Sequence, residues 1–294
     1  MRYAVADTGS NTIRLAVYDY QNGNLTQLYN EAIFANLAGH IENNRLTKTG
    51  IAVATDAILA HKEKAAEFGA NLHVFATAAI RNAENTEEIC SLLKQQTGIS
   101  VDLISGEDEA LLSFCGARSD FPVEQGVMAD VGGGSSEVIL FEQNSPVAFH
   151  SVPWGGLKAF KDFIREGLPS SEQVKTIRSA ITDTLKTQPK FLDKRTETLC
   201  IVGGSVRAAQ TLSNAFLGEE LRTLSAIDRM LDSMLKNPSS AWEEVQRLTP
   251  KRAVTIAPAL AIYSAIGHFF GAEKILFSDM GIKEGYVLSR LIQK

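Results

Sequence analysis

The chain is short of the residues that cross-link or metal-staple a small fold: in 294 residues it carries three cysteines and five histidines. Cys90, Cys115 and Cys200 are widely spaced, form no Cys-x-x-Cys pair and lie in apolar settings, so they read as reduced, packed thiols and exclude a disulfide framework. His40, His61, His73, His150 and His268 show neither His-x-x-x-His nor Cys/His spacing, which argues against a structural zinc site. No uninterrupted run of about 18 apolar residues occurs, and MRYAVADTGS enters a strand pattern at once, leaving no room for a signal peptide. A cytoplasmic protein with no membrane partner is the expectation. Positive charge is scarce too: 29 Lys and Arg against 34 Asp and Glu leave a net charge of -5, which argues against a nucleic-acid binder and requires any polyanion to be held locally. The common nucleotide loops are also missing. There is no G-x-x-x-x-G-K-[ST], and the dinucleotide fingerprint fails because Glu137 stands where its last glycine is needed.

What the chain does have is an internal copy. Residues 6–19, ADTGSNTIRLAVYD, align without a gap on residues 129–142, ADVGGGSSEVILFE. Each reads as a strand, a tight small-residue turn and a returning strand. Asp7 and Asp130 sit at the mouths of the turns Gly9-Ser10-Asn11 and Gly132-Gly133-Gly134-Ser135, whose unshielded backbone N–H groups can converge on anionic oxygens. Two such turns facing one another would make a phosphate clamp with a carboxylate in each jaw. A third turn, Gly203-Gly204-Ser205, leaves a strand and opens a helix, whose N-terminal amides attract anions.

The length and the 45% hydrophobic content suit two domains with a core each. An Asn-Gly hairpin signal at Gln21-Asn22-Gly23-Asn24 leads into a third strand, Leu25 to Ala35. A helix over 48–68, a strand over 71–76, a helix bracketed by Asn85 and Glu88, a strand over 101–104 and a helix from Ser105 follow. From Val127 the order repeats, with helices over 157–166 and 171–185, a strand over 198–202 and a helical stretch over 225–270. Within that stretch Ser239 is the expected cap, Pro250 a break and Pro258 a start or kink, before a strand at 274–277 and a closing helix from Ile282. The Asp120-Phe121-Pro122 break divides the chain into 1–119 and 120–294, with the closing helix packing back on the first domain. The predicted fold is α/β, a duplication in which two mixed sheets flanked by helices border a central cleft, the expected site.

Three small-residue turns at the ends of central strands resemble the two-phosphate-loop fold of actin, sugar kinases and heat-shock chaperone ATPases. DTGSNTIRLAVYD, ATAAIRNAEN (76–85), ISGEDEA (104–110), DVGGGSSEV (130–138), GGSVRAAQ (203–210) and SDMGIKEGYVL (278–288), in that order, resemble the exopolyphosphatase and guanosine pentaphosphate phosphohydrolase (Ppx/GppA) family over nearly the whole chain. Lys283 departs from the family's usual arginine, and Val254 and Ala259 from its usual acid and glycine. The chain runs to Lys294 with the closing helix, resembling the short two-domain branch. The resemblance implies removal of a terminal phosphate from inorganic polyphosphate or guanosine pentaphosphate by water.

Such hydrolysis needs charge neutralised on phosphoryl oxygens, a positioned water and a proton acceptor. Asp7 and Asp130 are the candidate Mg²⁺ ligands, partly through water, the alternative being that each hydrogen-bonds its own turn. Asp108, three residues after Ser105, fits a capping box, and Glu107 fits first-turn charge, which leaves Glu109 without a structural role. The family resemblance places the general base there. Glu137 is a second candidate for orienting water or metal. Arg81 is placed to grip phosphate, with a surface ion pair as the alternative. Arg14, Lys158 and Arg207 are further phosphate candidates that also read as solvated cations. Polyphosphate or guanosine penta- or tetraphosphate is the expected partner. A kinase of the same fold and a nucleotide or alarmone sensor remain open. The apolar stretch Ala257 to Phe270 reads as core, with a homodimer interface as the alternative.

Overall fold

The computed structural model describes residues 1–292. It divides into two compact units, Met1–Leu112 together with the residues from Lys283 onward, and Ser113–Ile282. Each is built on a five-stranded mixed sheet with the same strand order.

In the first unit β1 (Arg2–Thr8), β2 (Thr12–Gln21) and β3 (Asn24–Phe34) form an antiparallel meander. Asn22 and Gly23, at φ 51° and 83°, supply the positive dihedrals of the β2–β3 turn. A two-stranded ribbon, β4 (Ile41–Glu42) and β5 (Arg45–Leu46), precedes α1 (Lys48–Glu67), capped by Thr47. Then β6 (Leu72–Ala76) and β7 (Val101–Leu103) add in parallel beside β1, separated by α2 (Ala78–Arg81) and α3 (Thr86–Thr97). Alternation sorts β1 and β2: Ala4, Ala6, Ile13, Leu15 and Val17 join the core that includes α1 and α3 residues such as Ile58 and Leu93. Asp7, Arg14 and Tyr18 therefore stand on the opposite face. α4 (Gly106–Ala117) follows β7, and the division between units falls within it.

The second unit repeats the plan with β8 (Gly126–Val131), β9 (Ser136–Glu142) and β10 (Ser145–Val152) antiparallel, followed by β11 (Thr198–Val202) and β12 (Lys274–Ser278) in parallel beside β8. Its helices are α5 (Gly156–Ala159), α6 (Ser171–Lys186), α7 (Val206–Leu217), α8 (Leu224–Lys236), α9 (Pro238–Leu248) and α10 (Ala253–Phe270). An 18-residue stretch within Pro250–Phe270 has a mean hydropathy of 1.6, and 78% of it is buried, as expected of a core helix. Beyond β12, α11 (Ile282–Tyr286) runs into a π-type turn, Val287–Ile292.

Four expectations change. The units divide at Leu112/Ser113 rather than after residue 119, because Arg118 donates to the Phe121 and Val123 carbonyls, and Asp120 accepts from Ser278 at 2.6 Å. Asn85 makes no cap bond for α3: its side chain accepts from the Leu46 amide at 2.9 Å and donates to the Leu46 carbonyl at 3.0 Å, fastening the ribbon instead. Asn237, not Ser239, precedes α9, since Pro238 occupies the first helical turn. The helix expected over 157–166 is one α-turn followed by a π-type turn, Phe160–Ile164.

Candidate active site

In the first unit the predicted residues gather at the C-terminal edge of the parallel strands, where open α/β sheets bind ligands. Asp7 is the register partner of Arg14 on β2 and of Phe75 on β6, so these side chains share one face. In the following turn Gly9 N–H donates to the Thr12 carbonyl at 3.2 Å. The Ser10 and Asn11 carbonyls are consumed by the amides of Ala38, Ala35 and Asn36 at 2.8–3.1 Å. A trans peptide points its N–H opposite its C=O, so the Asn11 amide is directed away from that segment, as an anion-holding turn requires.

Arg81 ends α2, which begins just past β6; Thr77 N–H reaches the Thr8 carbonyl at 3.4 Å, tying that segment to β1. Its Nη1 donates both to the Ile104 carbonyl and to Glu109 Oε2, each at 2.8 Å. The pair is largely shielded, with 21% and 16% of the two side chains exposed. A carboxylate and a guanidinium are thus held together at the start of α4. Ser105 caps α4 by accepting from the Asp108 amide at 3.0 Å, and its hydroxyl donates to Asp108 Oδ2 at 3.0 Å. That accounts for Asp108 as a helix-starting residue and leaves Glu109 facing Arg81.

The second unit repeats the frame with different chemistry. Asp130 on β8 pairs in register with Glu137 on β9, which pairs with Ser151 on β10. Glu137, 3% exposed, accepts from Ser151 Oγ at 3.0 Å, and Asp130 Oδ2 accepts from Ser113 Oγ at 2.6 Å. Gly132 N–H donates to the Ser135 carbonyl at 3.0 Å, matching the Gly9 bond. The Gly132 and Gly133 carbonyls accept from Gly156, Leu157 and Lys158 amides at 2.9–3.1 Å, so the Gly133 and Gly134 amides point away from α5. Gly155 allows this approach: a Cβ there would stand 2.3 Å from the Gly132 carbonyl oxygen.

Gly203, Gly204 and Ser205 lead into α7 beside Asp130. Gly203 adopts φ 98°, and a Cβ on it would lie 2.7 Å from Asp130 Oδ1. Tyr263 is buried beneath this edge and donates to the Val202 carbonyl at 3.3 Å. Burial, then the negative charge of Asp130, pushes its phenol well above the usual tyrosine range, which keeps it neutral.

Two cations are not delivered to the turns. Lys158 folds back onto the Pro153 carbonyl at 2.8 Å, near Asp162 at 3.5 Å and over the Trp154 ring at 5.2 Å; only its backbone serves the loop. Arg207, on the first turn of α7, is largely exposed and lies 3.4 Å from Asp279. Sequence reasoning missed Arg252, whose guanidinium covers Gly204 so closely that a Cβ there would meet Nη2 at 2.1 Å. Its signal was available in the basic pair Lys251-Arg252 directly before an apolar helix. Ser113, which orients Asp130, carried no sequence signal.

Asp130 and Glu137 offer hard oxygen donors from neighbouring strands. No cluster of three or more His, Cys, Asp and Glu stands together among the described residues. This donor set fits Mg²⁺, which is commonly held by one or two carboxylates and completes its shell with water and phosphate oxygens.

A sequence profile of the Ppx/GppA phosphatase family matches residues 16–294. The chain belongs to that family. Ppx/GppA relatives include exopolyphosphatase 1 of Mycobacterium tuberculosis, 24% identical over 305 residues, covering 99% of this chain and 88% of that protein. A guanosine-5'-triphosphate,3'-diphosphate pyrophosphatase of Photobacterium profundum is 24% identical over 289 residues, covering 97% of this chain and 58% of the relative. A solved Ppx/GppA family member from Aquifex aeolicus shares the fold at a TM-score of 0.84 and 23% identity, over 100% of this chain and 98% of that one.

Proposed function

We propose that the chain hydrolyses the terminal phosphoanhydride bond of inorganic polyphosphate or of guanosine pentaphosphate, with water as acceptor. Membership of a phosphatase family makes it a phosphohydrolase, and both substrate classes appear in the names of its relatives. The observation that carries the mechanism is the shielded Arg81–Glu109 pair.

In this reading the Gly9–Asn11 turn and Arg81 hold phosphoryl oxygens, and Arg14 adds charge beside Asp7. Glu109, held beside the Arg81 guanidinium, orients the attacking water and accepts its proton. In the second unit the Gly133 and Gly134 amides, the start of α7 and Arg252 bind further phosphate oxygens. Asp130 and Glu137 would hold Mg²⁺, which supplies charge neutralisation for phosphate oxygens. Ser113 and Ser151 fix the orientation of those carboxylates.

Purified protein given polyphosphate of defined length or guanosine pentaphosphate is expected to release orthophosphate in a Mg²⁺-dependent reaction. Glu109→Gln, which keeps size and loses the proton acceptor, should lower kcat by about 10²-fold or more. Undiminished release by that variant would remove the assigned base.

A further inference from the structure

On the Asp7 face of the first sheet, α11 and the turn after it make three directed polar contacts with this unit. Glu284, 4% exposed, accepts a short hydrogen bond from the buried hydroxyl of Tyr18 on β2. Tyr286 donates to Asp102 Oδ2 on β7 at 3.1 Å, and its ring stacks on Phe75 of β6 at 4.8 Å between centroids. Phe75 and Asp102 are register partners, and Phe75 is also the partner of Asp7. Arg290, four residues beyond Tyr286, donates to Asp108 Oδ1 at 3.0 Å.

We propose that Tyr286 and Arg290 are positioning residues for hydrolysis, a two-point clamp on the segment that carries Glu109. This role rests on the assignment of Glu109 as the base. Asp102 and Asp108 bracket the segment from Leu103 to Glu107, and Asp108 immediately precedes Glu109. Of the two acceptors of Arg81 Nη1, the Ile104 carbonyl lies inside that bracketed stretch and Glu109 Oε2 belongs to the residue directly after Asp108. A shift of the β7–α4 connection therefore moves both together and changes where the carboxylate meets water. Asp108 is held from two sides, by the Ser105 hydroxyl and by Arg290, so helix capping and clamping converge on one side chain. Tyr286 is the stronger anchor. Its phenol is pushed up by burial and by the Asp102 charge, so it stays a hydrogen-bond donor throughout the neutral range. The Arg290–Asp108 pair is about two-fifths exposed and screened by salt.

Steady-state kinetics of the full chain, with polyphosphate as the probe, tests this. Tyr286→Phe keeps the ring on Phe75 and loses only the hydroxyl; kcat should fall about tenfold, less than the roughly 10²-fold that a 1 Å misplacement can cost. KM should stay within about twofold, the pattern of a lost transition-state interaction. Arg290→Ala should lower kcat by about threefold, with most of the loss recovered in Arg290→Lys, since the exposed pair is mainly a charge contact. Arg45→Ala, which breaks an exposed 2.9 Å ion pair to Glu88 in the same unit, should leave both constants unchanged. If Glu109→Gln is inactive while Tyr286→Phe and Arg290→Ala keep wild-type kcat, the clamp is wrong and the base stands. Equal losses in Arg45→Ala and the clamp variants would reduce the effect to stability and overturn the proposal. Should Glu109→Gln stay active, both the base and the clamp fall.

Discussion

Asp7 stands across from Arg14 in the first sheet, whereas Asp130 stands across from Glu137 in the second. The two pairs occupy aligned positions of the internal copy, so one substitution separates a charge-balanced turn from an acidic one. The first suits phosphate, and the second suits a cation that brings phosphate with it. This difference was legible in the gapless alignment, because cross-strand partners follow from the register of a tight turn. Arg252 was legible only as half of a basic pair before an apolar helix; its approach to Gly204 comes from tertiary packing, which no local pattern specifies. Residue-scale burial has a pH consequence at His61, which is fully buried, with its Nε2 donating to the Ile13 carbonyl at 3.0 Å. Burial holds its imidazole below the usual value of 6.5 despite the nearby Glu31. The unfolded chain therefore takes up a proton first as pH falls, so this group's contribution is complete above about 6.5 and is lost below it. Urea midpoints should decline between pH 7.5 and pH 5, and His61→Gln, which keeps a donor for Ile13, should flatten the decline; an equally steep fall in that variant would assign it to other groups.

Helix and strand positions follow the periodicity of the sequence closely, because apolar alternation and the Asn-Gly turn act locally. Ser170 shows a cap where the pattern works: it accepts from the Gln173 amide at 3.2 Å, and Gln173 returns the bond to the Ser170 amide at 2.8 Å. Asn85 shows where it fails. An equivalent pair, Asn85 and Glu88, stands at the head of α3, yet the asparagine amide is more fully satisfied by both polar groups of Leu46 across the fold. Local capping signals lose when a tertiary partner offers two bonds. Asn85→Ala is accordingly expected to destabilise the first unit by about 2 kcal/mol, since it unpairs a buried amide and carbonyl. Ser239→Ala, one residue into α9, should stay within about 0.5 kcal/mol of wild type. Chemical denaturation of the two variants checks both, and a larger loss at Ser239 would restore it as a cap.

At the scale of the molecule, the first unit is discontinuous in sequence, taking in residues from Lys283 onward, while the second is one uninterrupted stretch, Ser113–Ile282. Composition and repeat spacing indicate two cores, whereas the partner of the closing helix is not written in its own pattern, because an amphipathic segment does not name the surface it packs on. Both tryptophans, Trp154 and Trp242, lie in the second unit, so indole fluorescence reports that unit while far-ultraviolet circular dichroism reports both. A chain cut after Ile282 loses Glu284 and Tyr286, exposing Tyr18 and Phe75. Its circular dichroism should show early loss of structure in urea with the fluorescence transition unchanged. Coincident transitions at the wild-type midpoint would mean that the terminal segment contributes little.

The discontinuity also sets an order of events during synthesis. A ribosome releases the β1–β7 sheet long before it has made the strip that covers the Tyr18 and Phe75 face, whereas every residue of the second sheet and its helices emerges in one run. The portion bearing Glu109 must then wait, partly uncovered, until the codons for Lys283 to Arg290 have been read, and a nascent chain stalled short of Lys283 would carry the Arg81–Glu109 pair without the contacts that Tyr286 and Arg290 make.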